Sequence, residues 1–178
     1  MLSVAAYVLV LAAIQATGWP DWETLASSPA RIADGQVWLL LTSGLVVDGL
    51  PWLQLGLLAV VLALAQPRLG TAGLWIVALA AHVGATLVAY AGVGLLRLAD
   101  PAAVAGAVDQ PDYGVSVILA GQAGALAVTA RTARGALTVC ALALLGFAVG
   151  VVGSSTLASA EHLLGFAIGA LTARLLRR

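Results

Sequence analysis

The chain has 178 residues, 62 % of them hydrophobic and 9 % charged, with a mean hydropathy of +1.05. That balance excludes an ordinary soluble domain and places the chain in a membrane. The net charge of zero leaves no basic surface for nucleic acid, and a single cysteine, Cys140, excludes an internal disulfide.

A helix needs about 20 apolar residues to cross the hydrocarbon. By that measure the sequence predicts an all-α polytopic membrane protein with six spans, at about 2–17, 50–66, 71–96, 113–130, 135–152 and 156–173. The first span lacks a basic leader and reads as part of the mature protein. The connection after it is polar, and Ser28-Pro29 has the form of a cap followed by proline in a first helical turn, which predicts a short surface helix. Trp19, Trp22, Trp38 and Trp52 lie in or beside this connection, and tryptophan favours the headgroup level. Val37 to Val47 is too short to span and reads as a loop embedded in the outer leaflet. Pro67 to Gly70 reads as a tight turn, residues 97–112 as a polar loop, and Gly153-Ser154-Ser155 as a turn. Cys140 reads as a small core residue.

Charge sets the orientation. With the N-terminus inside, Arg68, Arg131, Arg134, Arg174, Arg177 and Arg178 are cytoplasmic, while all the acids fall in outer loops or near the outer ends of spans. Both termini are then cytoplasmic.

On this topology Ser116 sits about 6 Å below the start of the fourth span and His162 about 10 Å below the start of the sixth. Gly165 and Gly169 form a smooth strip on the sixth span, and Gly121 and Gly124 offer small positions on the fourth, so close contact between the two helices is expected. A serine becomes a nucleophile when a base takes its proton, and histidine suits that task near neutrality. The head of a helix adds free N–H groups for an oxyanion, and Gly114 would let a substrate backbone approach. The competing readings are a Ser116 hydroxyl bonded back to a carbonyl, a glycine pair that only packs, and an interfacial Glu161–His162 pair. His82, about 18 Å into the third span with Thr86 one turn on, is either a proton carrier or a neutral histidine bonded to a neighbouring helix. The second is preferred, because every acid lies toward the outer side. No cluster of metal or cofactor ligands is apparent.

These residues resemble the rhomboid intramembrane serine proteases, whose active serine lies in a Gly-x-Ser motif on the fourth helix of a six-helix core and whose histidine lies in a His-x-x-Gly-x-x-x-Gly pattern on the sixth. Gly114-Val115-Ser116 matches the first motif, and His162, Gly165 and Gly169 match the second. Ser28-Pro29, Thr42-Ser43-Gly44, Val47-Asp48-Gly49 and His82-Val83-Gly84-Ala85-Thr86 are most similar to a divergent rhomboid-like group of actinobacteria. The resemblance implies a cofactor-free Ser116–His162 dyad in a bacterial plasma membrane, with a transmembrane protein as substrate or client. Three positions depart from the pattern: Val117 replaces the glycine after the serine, Trp38-Leu39 replaces a tryptophan-arginine pair, and the second helix lacks the His-x-x-x-Asn pair. Gln54 falls near that asparagine and is the candidate oxyanion donor.

Overall fold

The computed structural model describes residues 2–47, 49–151 and 155–178, the side chains of 144 and 146–151 excepted, and every regular element among them is a helix. They are α1 (Leu2–Thr17), α2 (Trp22–Leu25), α3 (Pro29–Ala33), α4 (Leu39–Thr42), α5 (Pro51–Ala99), α6 (Pro101–Val108), α7 (Val115–Thr129), α8 (Ala133–Val151) and α9 (Thr156–Leu175). Of these, α5 and α9 are long and apolar enough to cross a membrane. Helices α1 and α7 and the stretch Ala133–Ala143 of α8 are shorter apolar segments.

Local chemistry explains the boundaries. The 49 residues of α5 form two arms, because Gly70 takes φ 69° and ψ 171°, a conformation essentially restricted to glycine. The turn expected at Pro67–Gly70 is therefore a break between arms. Ser28 caps α3, its hydroxyl accepting the Arg31 N–H at 3.2 Å, as the Ser-Pro pattern predicts. Two expected loops are partly helical instead. Residues 37–47 contain α4 and a 3-10 turn at Ser43–Leu45. Residues 97–112 contain α6, which starts because Pro101 follows Asp100 and the Asp100 carboxylate accepts the N–H groups of Ala102 and Ala103 at 3.1 and 3.2 Å. Asp48, Gly153 and Ser154 lie outside the described residues, while Ser155 caps α9 by accepting the Ala158 N–H at 3.2 Å. Cys140 is free and half-buried.

The C-terminal arm of α5 packs with α7 and α9, and glycine sets how close they come. A Cβ on Gly169 would overlap the Gly121 carbonyl, one on Gly124 the Phe166 carbonyl, and one on Gly121 the Ala81 side chain. Backbones approach this closely only where side chains are absent, and in lipid such packing is a main source of helix association. Gly165 meets Val117 just as Gly169 meets Gly121, so α7 and α9 run parallel and in step. Against the other arm of α5 packs α1, burying Leu11, Leu55, Leu58 and Leu62. In this register Ser116 lies level with Leu164, so His162 stands about 3 Å above Ser116, while α9 itself begins about two turns above the head of α7.

Candidate active site

The segment leading into α7 is held by the first connection. Asp112 N–H bonds the Ser27 carbonyl at 2.8 Å, and Gly114 N–H bonds the Ser43 carbonyl at 2.9 Å. The intrahelical ladder then begins with Ile118 N–H on the Gly114 carbonyl at 3.0 Å. Ser116 thus sits in the first turn, where backbone N–H groups lack intrahelical acceptors.

The Ser116 hydroxyl donates to the Tyr113 carbonyl at 3.3 Å. Ser116 stands one turn above Ala120, whose Cβ lies 3.8 Å from the place a Gly165 side chain would occupy, and so it flanks the α9 contact. His162 lies one turn above Gly165 and Phe166, within about 20° of Gly169 around the α9 axis. It therefore falls on the face of α9 applied to α7. Its Nε2 is buried without a hydrogen-bond partner. The structure brings the two residues to adjoining faces at nearly one level but does not hydrogen-bond them to each other.

The supporting positions fall differently. The approach expected at Gly114 is occupied by His82, whose ring a Cβ on Gly114 would overlap. Gln54 lies in the first turn of α5, its Oε1 buried without a partner, and no bond links it to Ser116. Gly121, Gly165 and Gly169 line the contact between α7 and α9.

His82 is 1 % exposed and packs between Gly44 and Gly114, with Nε2 3.3 Å from Ser43 Oγ. It belongs to a polar column on α5, His82, Thr86 and Tyr90, which leads up to Asp112. There three hydroxyls surround Asp112 Oδ2, Ser27 Oγ at 3.3 Å, Tyr90 Oη at 3.3 Å and Thr86 Oγ1 at 3.5 Å. Ser27 Oγ and Tyr90 Oη lie 2.8 Å apart. Glu161, the residue before His162 on α9, is 1 % exposed, and its Oε1 is buried without a hydrogen-bond partner. Glu161 is thus buried rather than interfacial, and His82 meets a neighbouring element through Ser43. Sequence reading missed the network, although an acid inside an apolar helix is a signal in itself.

A family model described as rhomboid-like protein matches residues 26–178. The chain belongs to the rhomboid-like family. No curated protein matches it. As a rhomboid-like chain with apolar helices it is a membrane protein, and its rhomboid-like core includes the first connection, which begins the matched region and supplies Ser27 and Ser43 to the head of α7.

Proposed function

We propose that this rhomboid-like protein is an intramembrane serine protease that cleaves transmembrane segments near the outer leaflet. In this reading it crosses the bacterial plasma membrane six times, with both termini cytoplasmic. The observation that carries it is the buried, unpartnered His162 Nε2 on the α9 face toward α7, about 3 Å above the level of Ser116. A change of Ser116 rotamer away from the Tyr113 carbonyl gives that nitrogen a hydroxyl to accept from. His162 then takes the proton as Ser116 Oγ bonds to the substrate carbonyl carbon. The oxyanion is held by the Ser116 N–H, with the Gln54 amide as a second donor. His162 returns the proton to the departing amine, and water hydrolyses the acyl-enzyme by the same route. Substrate enters laterally from lipid, and no cofactor is needed.

A second reading, binding of transmembrane clients without cleavage, is favoured by the bond that turns Ser116 to Tyr113. The two separate cleanly in detergent. A fluorophosphonate probe should label the unmodified protein, and Ser116→Ala and His162→Ala should each abolish labelling while melting as the unmodified protein does. Absence of labelling in the unmodified protein, beside an active rhomboid that labels, would favour the binding module.

A further inference from the structure

The C-terminal arm of α5 runs antiparallel to α7 and α9. Tyr90 meets Asp112 at one end, and at the other a Cβ on Gly73 would lie 3.7 Å from Leu176 Cδ1. At that second end Leu69, Val128 and Ala173 pack into one cluster, and the sequence sets arginines beside all three. Arg68 precedes Leu69, Arg174 follows Ala173 with Arg177 and Arg178 beyond it, and Arg131 and Arg134 follow Val128 across the connection into α8. The Arg177 guanidinium reaches the Val128 carbonyl at 3.4 Å, so the tail of α9 lies over the end of α7. All six arginines are exposed. The described acids do not neutralise them: Asp100, Asp109, Asp112 and Glu161 lie toward the opposite ends of α5, α7 and α9, and Asp21, Glu23 and Asp34 belong to the first connection, which bonds the head of α7. Arg134 moreover lies in the first turn of α8, where a cation opposes the helix dipole. Like charges gathered from three parts of the chain call for an external anion.

What surrounds the charges identifies the anion. Leu64, Leu137 and Leu171 are exposed, each about one turn from Arg68, Arg134 and Arg174 respectively. The arginines therefore stand where lipid-facing leucine ends, at the depth of a phospholipid phosphate. Arginine also has the planar fork that pairs two phosphate oxygens at once. We propose that this end of the bundle binds anionic phospholipid, with the headgroup phosphate bridging Arg177 of α9 to Arg131 and Arg134 at the head of α8. The bridge joins α8 through its first turn to the packed group of α5, α7 and α9. With both termini cytoplasmic, the leaflet concerned is the inner one. The surface lies at the opposite end of the bundle from Ser116 and takes part in no catalytic step, so it stands whether the protein cleaves its clients or only binds them.

The test reconstitutes the full chain in nanodiscs of phosphatidylcholine, alone or with a third of the lipid replaced by phosphatidylglycerol, and reads the melting midpoint in each. Both leaflets carry the anionic lipid, so the direction of insertion does not matter. Phosphatidylglycerol should raise the midpoint of the unmodified protein by about 2 to 4 °C or more, the effect of one arginine near an anionic surface. The variant combining Arg131→Gln, Arg134→Gln and Arg177→Gln should lose most of that shift. Arg177→Gln alone should lose part of it, and serves where the triple variant does not reconstitute. Each variant is compared with itself in the two lipids, so a general loss of stability cancels. Arg97→Gln, at the opposite end of α5, should keep the shift in full. An unmodified protein that melts alike in both lipids overturns the proposal, as does either variant of the arginine group that keeps the full shift. Loss of the shift in Arg97→Gln as well overturns it too, by marking a diffuse response to surface charge. Inorganic phosphate that reproduces the shift in phosphatidylcholine alone overturns the lipid as occupant and assigns the surface to the free ion.

Discussion

The two histidines, His82 and His162, start from similar chemistry and end in different surroundings. Each keeps one ring nitrogen buried without a partner, Nδ1 of His82 and Nε2 of His162. His82 is clamped between Gly44 and Gly114 and tied through Nε2 to Ser43, so the ring acts as a spacer between the first connection and the head of α7. His162 is half-buried on the face of α9 that meets α7, the helix carrying Ser116. An unpartnered nitrogen does not by itself make a base; what it faces decides.

The largest effect that could break this comparison comes from exchanging the two roles. His162→Ala should lower the labelling rate by about a hundred- to ten-thousandfold, the scale of losing a general base, with little change in stability. His82→Ala should do the reverse, costing about 2 to 4 kcal/mol of stability through the cavity it leaves, while the folded fraction still labels. Denaturant titration in detergent together with labelling of the folded fraction measures both. If His82→Ala stays stable and fails to label, the spacer assignment is wrong.

Gly114 sharpens the same contrast. Gly114→Ala places a methyl where the His82 ring lies and should cost about 1 to 3 kcal/mol by overpacking. In the His82→Ala background that methyl has room. The double variant should therefore be more stable than the sum of the two single losses implies, by about 1 kcal/mol or more, a coupling of the size seen between touching residues. Strict additivity would show that the ring and the glycine do not share the space.

What the sequence makes legible here is mostly local. Ser28-Pro29 foretells the start of α3 because cap and proline act within one turn. Asp100-Pro101 carries an equivalent signal, but the run after it is short and lies between prolines and acids, so it reads as a loop although α6 forms there. The motifs of Ser116, His162 and the glycines suffice to suggest the family, since they are fixed spacings along single helices. The gathering of Ser27, Thr86 and Tyr90 around Asp112 is different in kind. It depends on how far the segment before α7 dips along α5, and no spacing records that depth. The same limit applies to the surroundings of His82. Thr86 and Tyr90 follow it at intervals of one turn, so the column climbs about 12 Å to Asp112, and a count of residues into the span places His82 without revealing what stands above it.

The smallest effect bears on the bond that distinguishes His82 from a free base. Ser43 meets the head of α7 in two ways: its carbonyl accepts the Gly114 N–H at 2.9 Å, and its hydroxyl lies 3.3 Å from His82 Nε2. Ser43→Ala removes only the second, a long bond whose loss should cost about 1 kcal/mol or less, and the backbone bond should keep α7 in place. Stability should fall by that amount and the labelling rate should be unchanged. If instead labelling collapses in a protein that remains stable, the Ser43 hydroxyl and the His82 nitrogen take part in the chemistry. The distinction between spacer and base would then have to be drawn somewhere other than between these two histidines.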